Sequence, residues 1–202
     1  MTWFEDNART FHEREFKAKE SIYTPLASAQ FPKALVITCA DSRIGTRKLL
    51  GAGPGDILEL RNAGNSIPPN SQGSEVGTIE LAVGVLNVKD IILIGHTFCW
   101  IGLTMQNPPE ILENLPAVSN WAKEWHKARK VVDALNPPLT GDDWVNRLIE
   151  ENVAQQLRNV GAIPRVREAV AAGEVNLHGW VYHLESGQVS KLDQSTGTFS
   201  PL

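Results

Sequence analysis

Cysteine is scarce, with two in 202 residues, which rules out a disulfide framework. Basic charge is not in excess either. The chain has 19 Lys and Arg against 23 Asp and Glu, a formal net charge of −4. That balance offers no electrostatic footprint for nucleic acid and no polybasic patch for a membrane surface. No apolar run approaches the roughly 18 residues of a membrane span. The opening stretch, MTWFEDNARTFHEREF, lacks an apolar segment behind a basic start and so does not read as a secretory signal. Glu5, Asp6, Glu13 and Glu15 argue equally against an Arg-rich transit peptide. The expected compartment is the cytoplasm, where paired thiols stay reduced. Internal repeats and low-complexity segments are lacking too. What is there is ordinary for a globular chain: 42% hydrophobic residues, and a length that fits one domain with a sizeable core.

The patterning predicts a single α/β domain over 1–202 that opens with a helical arm over about its first twenty residues. In the arm, Trp3, Phe4, Ala8, Phe11 and Phe16 recur near helical spacing. They carry more aromatic surface than one short helix needs, so the arm packs on its own core or on a partner subunit. Ala34–Thr38 is a short continuous apolar run, the signature of a buried parallel strand. The polar segment Cys39-Ala40-Asp41-Ser42-Arg43 leaves its carboxyl end, where open α/β sheets bind ligands. A short helix is expected around Arg47–Leu50 and a strand at Ile57–Leu60. A helix follows over Glu75–Leu86, from the spacing of Val76, Ile79, Val83 and Leu86. Ile91–Ile94 is another buried strand, running out into Gly95-His96-Thr97-Phe98-Cys99. Strand, helix and strand at this distance make a right-handed βαβ unit. The stretch from Ile111 to Leu135 reads as mostly helical, followed by helices at Trp144–Asn159 and Pro164–Ala172. The tail alternates from Leu177 to Leu184, turns at Ser186-Gly187 and returns over Val189–Leu192, a terminal strand or hairpin. The expected architecture is therefore a largely parallel central sheet flanked by helices.

The only two cysteines each follow a strongly apolar strand, and His96 lies three residues before Cys99. If the two strands are sheet neighbours, two thiolates and one imidazole converge on one rim. Two cysteines and a histidine with an open fourth position form a catalytic zinc pattern, and thiolates favour zinc over magnesium or calcium. Taken singly, a cysteine after a buried strand is ordinarily a small hydrophobe. Strand-end placement and the neighbouring Asp41 and Arg43 give the pattern its weight. A turn after Cys39 lets Asp41 approach the open position while Arg43 holds its carboxylate by a charge-assisted bond. The bland alternative is an N-cap aspartate in a surface ion pair. His12, His126, His178 and His183 are given no catalytic role. The Gly53-Pro54-Gly55 turn lacks the ending of a phosphate loop.

Cys39-x-Asp41-x-Arg43 with His96-x-x-Cys99 resembles the signature of the β-class carbonic anhydrases. The resemblance runs from about Gln30 to the C-terminus, which implies a zinc-binding α/β core at 30–202 behind a helical arm at 1–29. It includes Phe31-Pro32-Lys33-Ala34, Arg61-Asn62-Ala63-Gly64-Asn65, Pro68-Pro69, Leu112-Glu113-Asn114-Leu115-Pro116 and Leu177-His178-Gly179-Trp180-Val181-Tyr182. It implies zinc held by Cys39, His96 and Cys99, an Asp41–Arg43 dyad beside it, and a substrate-placing role for Gln30. It also implies reversible hydration of carbon dioxide to bicarbonate and a proton, by attack of a zinc-bound hydroxide. Asp41 either serves the open site or binds zinc and switches it off. Members of the family form dimers or larger homo-oligomers with sites near the dimer interface. No nucleic acid or membrane partner is implied.

The chain also departs from the family pattern. Where the family usually has glycine and a small residue after the last cysteine, this chain has Trp100 and Ile101, and Gly102 comes later. Phe98 is bulkier than residues common before that cysteine. Trp100 either points away to an interface or narrows the substrate channel. The second outcome suits hydrolysis of carbonyl sulfide or carbon disulfide on the same scaffold, or a zinc-binding assembly subunit impaired in catalysis. Trp121, Lys123 and Trp125 also differ from the family. They read as an amphipathic helix, or, with Trp100, as altered subunit contacts.

Overall fold

The computed structural model describes residues 2–68 and 72–202; Pro69 of the Pro68-Pro69 pair lies outside them. Six strands form one sheet in the order β2-β1-β3-β4-β5-β6. They are β1 (Ala34–Cys39), β2 (Ile57–Asn62), β3 (Asp90–His96), β4 (Asn176–Tyr182), β5 (Val189–Asp193) and β6 (Thr198–Pro201). The first four run parallel and the last two antiparallel. All six residues of β1 are buried, as expected for a central parallel strand of unbroken apolar character. Leu35, Ile37, Ile91 and Leu93 are fully buried, each stabilising the fold by about 1.5–3 kcal/mol.

The helices are α1 (Trp3–Phe11), α2 (Glu20–Leu26), α3 (Thr46–Leu50), α4 (Ser74–Gly84), α5 (Trp100–Gln106), α6 (Pro116–Ala122), α7 (His126–Asp133), α8 (Gly141–Ala162) and α9 (Pro164–Ala171). α8 packs on β3 and β4, while α4 packs on β2 and α9. Gly95 lets α8 come close to the sheet, because a Cβ there would lie 2.5 Å from Val153 Cγ2. In the arm, Thr2 and Glu5 form a capping box at the start of α1. The arm stays helical beyond its first twenty residues. A π-helical turn (His12–Phe16) and a 3₁₀ turn (Lys17–Lys19) lead into α2. None of the residues in these arm helices is buried.

The expected α/β architecture stands, with differences of detail. β1 takes in Cys39, and β3 extends to His96, one and two residues past their apolar runs. The stretch 111–135 is helical but broken by 3₁₀ turns at Glu110–Asn114 and Lys123–Trp125. β6 extends the terminal hairpin. Its four residues are mostly exposed and include Pro201, which an edge strand tolerates.

Candidate metal centre

β1 and β3 are direct neighbours, with Thr38 opposite Ile94. Both strands therefore deliver their last residues, Cys39 and His96, at one end of the sheet. After His96 the chain turns tightly through Thr97 and Phe98, and Cys99 caps the start of α5. Phe98 makes the turn with φ +56°, a left-handed conformation unusual for a bulky residue. The two sulfurs and a ring nitrogen of His96 all lie within 4.8 Å of one another. All three side chains are buried, and His96 is fully so.

The environment of each candidate ligand suits it to a metal. His96 Nδ1 lies 2.8 Å from the Thr97 carbonyl. A carbonyl only accepts, so Nδ1 carries the proton and Nε2 presents a lone pair. Nε2 is buried and has no hydrogen-bond partner among the described residues. Thr97 is itself fixed: its hydroxyl donates to Glu185 Oε2 at 2.6 Å and accepts from the Leu184 amide at 2.9 Å. The Gly64 amide donates to Cys39 Sγ at 3.3 Å. The Cys39 thiol is pushed down to about 4, chiefly by its neighbour Cys99 and further by the Gly64 amide, while burial opposes the shift. Cys99 goes the other way, because its proton is held against Cys39 and burial disfavours its thiolate. A cation bound by both sulfurs would release protons, since thiols coordinate as thiolates. Two soft sulfurs, one imidazole nitrogen and an orphaned buried Nε2 fit zinc, whereas magnesium and calcium require oxygen ligands.

Asp41 and Arg43 stand beside this cluster. Arg43 grips the carboxylate in a fork, Nε to Oδ1 at 2.9 Å and Nη2 to Oδ2 at 2.7 Å, and its backbone amide adds a third bond to Oδ1 at 2.9 Å. The guanidinium holds the Asp41 carboxyl well below the usual carboxylate range, although partial burial opposes it. Asp41 Oδ2 lies 3.9 Å from His96 Nε2. Arg61 pins the same loop from β2, bonding the carbonyls of Cys39 and Asp41.

Cys39, His96, Cys99, Asp41 and Arg43 thus come together. Gln30 does not join them. It is exposed and shares a shallow surface depression with Leu26 to Ala29 and Gly55, next to the chain that enters β2, so it stands at the opposite end of β1 from Cys39. Phe98 and Trp100, on either side of Cys99, are 47% and 46% exposed. His178 is half-buried against Asp90 at 2.8 Å, and His183 bonds Ser190 Oγ at 3.0 Å. Gly64, Thr97, Glu185, Arg61 and Trp125 were not singled out as site residues by sequence patterning. The polar segment Arg61-Asn62-Ala63-Gly64-Asn65 leaving β2 was the one signal pointing toward two of them.

A family model described as Carbonic anhydrase matches residues 34–189. Carbonic anhydrase 1 of Escherichia coli is 36% identical over 201 residues, covering 98% of this chain and 90% of that protein. A carbonic anhydrase of Pseudomonas aeruginosa is 34% identical over 199 residues, covering 98% and 90%. Among solved structures, the β-carbonic anhydrase CcaA superposes with a TM-score of 0.92 at 30% identity, covering 98% of each chain.

Proposed function

The chain belongs to the β-class carbonic anhydrase family, and from that premise we propose that it hydrates carbon dioxide reversibly to bicarbonate and a proton. In this reading Cys39 Sγ, His96 Nε2 and Cys99 Sγ hold zinc. The observation that carries it is the convergence of these three atoms within 4.8 Å around an Nε2 that has no other partner. Zinc, when bound, supplies a Lewis acid that makes water nucleophilic near neutral pH.

The protein's own groups do the rest. The Thr97 carbonyl keeps the His96 ring in one tautomer and one orientation. Asp41, kept ionised by Arg43, accepts a hydrogen bond from the attacking water and aims its lone pair at carbon. Both Asp41 oxygens already receive bonds from Arg43, which supports a role as acceptor in an open site over a role as fourth ligand. Gln30 contributes to substrate placement through a second copy of the chain, since within one chain it sits at the far end of β1. An unpartnered arm supports a homodimer or larger homo-oligomer. Trp3 and Phe4 are 72% and 73% exposed, and α1 buries no residue. Among the described residues no helix is long and apolar enough to cross a membrane.

The intact set of Cys39, His96, Cys99, Asp41 and Arg43 supports carbon dioxide hydration over an impaired assembly subunit. The test is zinc quantification and stopped-flow carbon dioxide hydration on one sample, with a parallel carbonyl sulfide assay. Stoichiometric zinc with rapid hydration is the expected result. Zinc without hydration overturns this reading, and faster turnover of carbonyl sulfide redirects it to the hydrolase.

A further inference from the structure

One buried side chain touches both turns that present the sulfurs. Trp125 is 1% exposed and ends the 3₁₀ turn between α6 and α7. Its pyrrole edge lies against Gly64, where an added Cβ would be 2.8 Å from Nε1. Its far edge lies against Gly102, where an added Cβ would be 3.1 Å from Cζ3. Gly64 has φ +73° and gives its amide to Cys39 Sγ. Gly102 lies in the first turn of α5, the helix that Cys99 opens as its N-cap residue. The indole N–H donates to Ser66 Oγ at 3.1 Å, and that hydroxyl donates to the Gly64 carbonyl at 3.3 Å. The turn is thereby held by a bonded chain as well as by contact.

Gly102 is the glycine that arrives late after Cys99, in the segment where this chain departs from its family's pattern. Its missing side chain is the space the indole occupies. Tryptophan and glycine thus form a matched pair, with the glycine admitting the ring and the ring in turn fixing the backbone on either side of the metal pocket.

We propose that Trp125 is a positioning residue for both thiolate ligands, a buried wedge between Gly64 and Gly102 that sets the direction of the Gly64 N–H toward Cys39 and the seat of the helical turn that begins at Cys99. The inference rests on the reading of Cys39, His96 and Cys99 as the metal ligands. Interactions just outside a metal's ligands typically contribute ten- to a hundredfold in metal affinity. A merely structural tryptophan would lower stability and leave the metal's surroundings unchanged.

The test uses the full chain, loaded with zinc or with cobalt(II). Trp125→Phe shortens the wedge and removes its N–H. Zinc affinity, measured by chelator competition, is expected to fall about ten- to a hundredfold. The thiolate-to-cobalt absorption band should shift in energy or lose intensity well below the unfolding temperature. Trp144→Phe is the control, because Trp144 is also buried but bonds Asp133 instead of the metal turns. It should lower the melting temperature and leave affinity and spectrum as in the parent. If Trp125→Phe does not fold, Gly102→Ala presses on the ring from its other end and should give the same spectral change. Parent-like affinity and spectrum in whichever variant folds overturns the proposal, as does an equal change in Trp144→Phe. A parent protein that binds no stoichiometric zinc or cobalt overturns the ligand assignment itself, and this inference with it.

Discussion

Arg43 and Phe98, far apart in sequence, are joined by a bond of 3.1 Å from Nη2 to the Phe98 carbonyl. The same guanidinium grips Asp41. One side chain therefore ties the loop leaving β1 to the turn leaving β3, and both carry candidate ligands. Part of the cost of holding Phe98 in a left-handed conformation is offset by this bond to its carbonyl.

Asp41→Asn keeps the shape of the loop but gives Arg43 a neutral partner and weakens the acceptor. Zinc content should stay at the parent level while carbon dioxide hydration falls by roughly 10–100-fold. Metal analysis and stopped-flow rates on the same preparation check this. Undiminished turnover would remove Asp41 from the mechanism.

Cys99→Ser replaces a soft donor with a hard, poorly ionised one. The variant should lose stoichiometric zinc. It should also melt below the zinc-loaded parent, because metal binding free energy contributes to folding. Retention of one zinc per chain would count against the ligand assignment.

Phe98→Gly removes a bulky side chain from φ +56° while keeping the carbonyl that Arg43 uses. Relief of the left-handed conformation should outweigh the added freedom of glycine in the unfolded chain, by up to about 1 kcal/mol. For a chain of this size that is a rise of roughly 2–4 °C in melting temperature. A fall on thermal denaturation would show that the ring makes contacts worth more than the strain.

Glu185→Gln tests the far end of the chain of bonds behind His96. The Thr97 hydroxyl lowers the Glu185 carboxyl below its ordinary value in the folded protein. A depressed folded value means the carboxylate stabilises the fold above the ordinary glutamate range, and that contribution disappears as pH falls through the folded value. The parent should be more stable than the variant at neutral pH, and the gap should close on acidification below about pH 4. A gap that is constant with pH would show that Glu185 acts only by packing.

Much of this was legible in the residues. Ala34–Thr38 and Ile91–Ile94 declared themselves as buried strands because both of their faces are apolar. Asp41 and Arg43 were legible as a pair because they lie two positions apart on a turn, and local spacing suffices there. β6 was not, since Thr198–Pro201 has no apolar alternation and pairs only because β5 offers an open edge. Trp125 was legible as a helical apolar residue but not as a support for the metal turns. That role depends on what Gly64 and Gly102 leave empty, and an absent side chain has no local signature. The helical nature of the arm showed in its aromatic spacing, whereas its continuation through Leu26 rests on a π-helical turn that interrupts the period.

β1 and β3 are interior strands, with β2 on one side and β4 on the other. Fraying at either edge of the sheet therefore does not reach the two strands that end in Cys39 and His96. Local opening at β2 or β6 should leave both of these side chains where they stand.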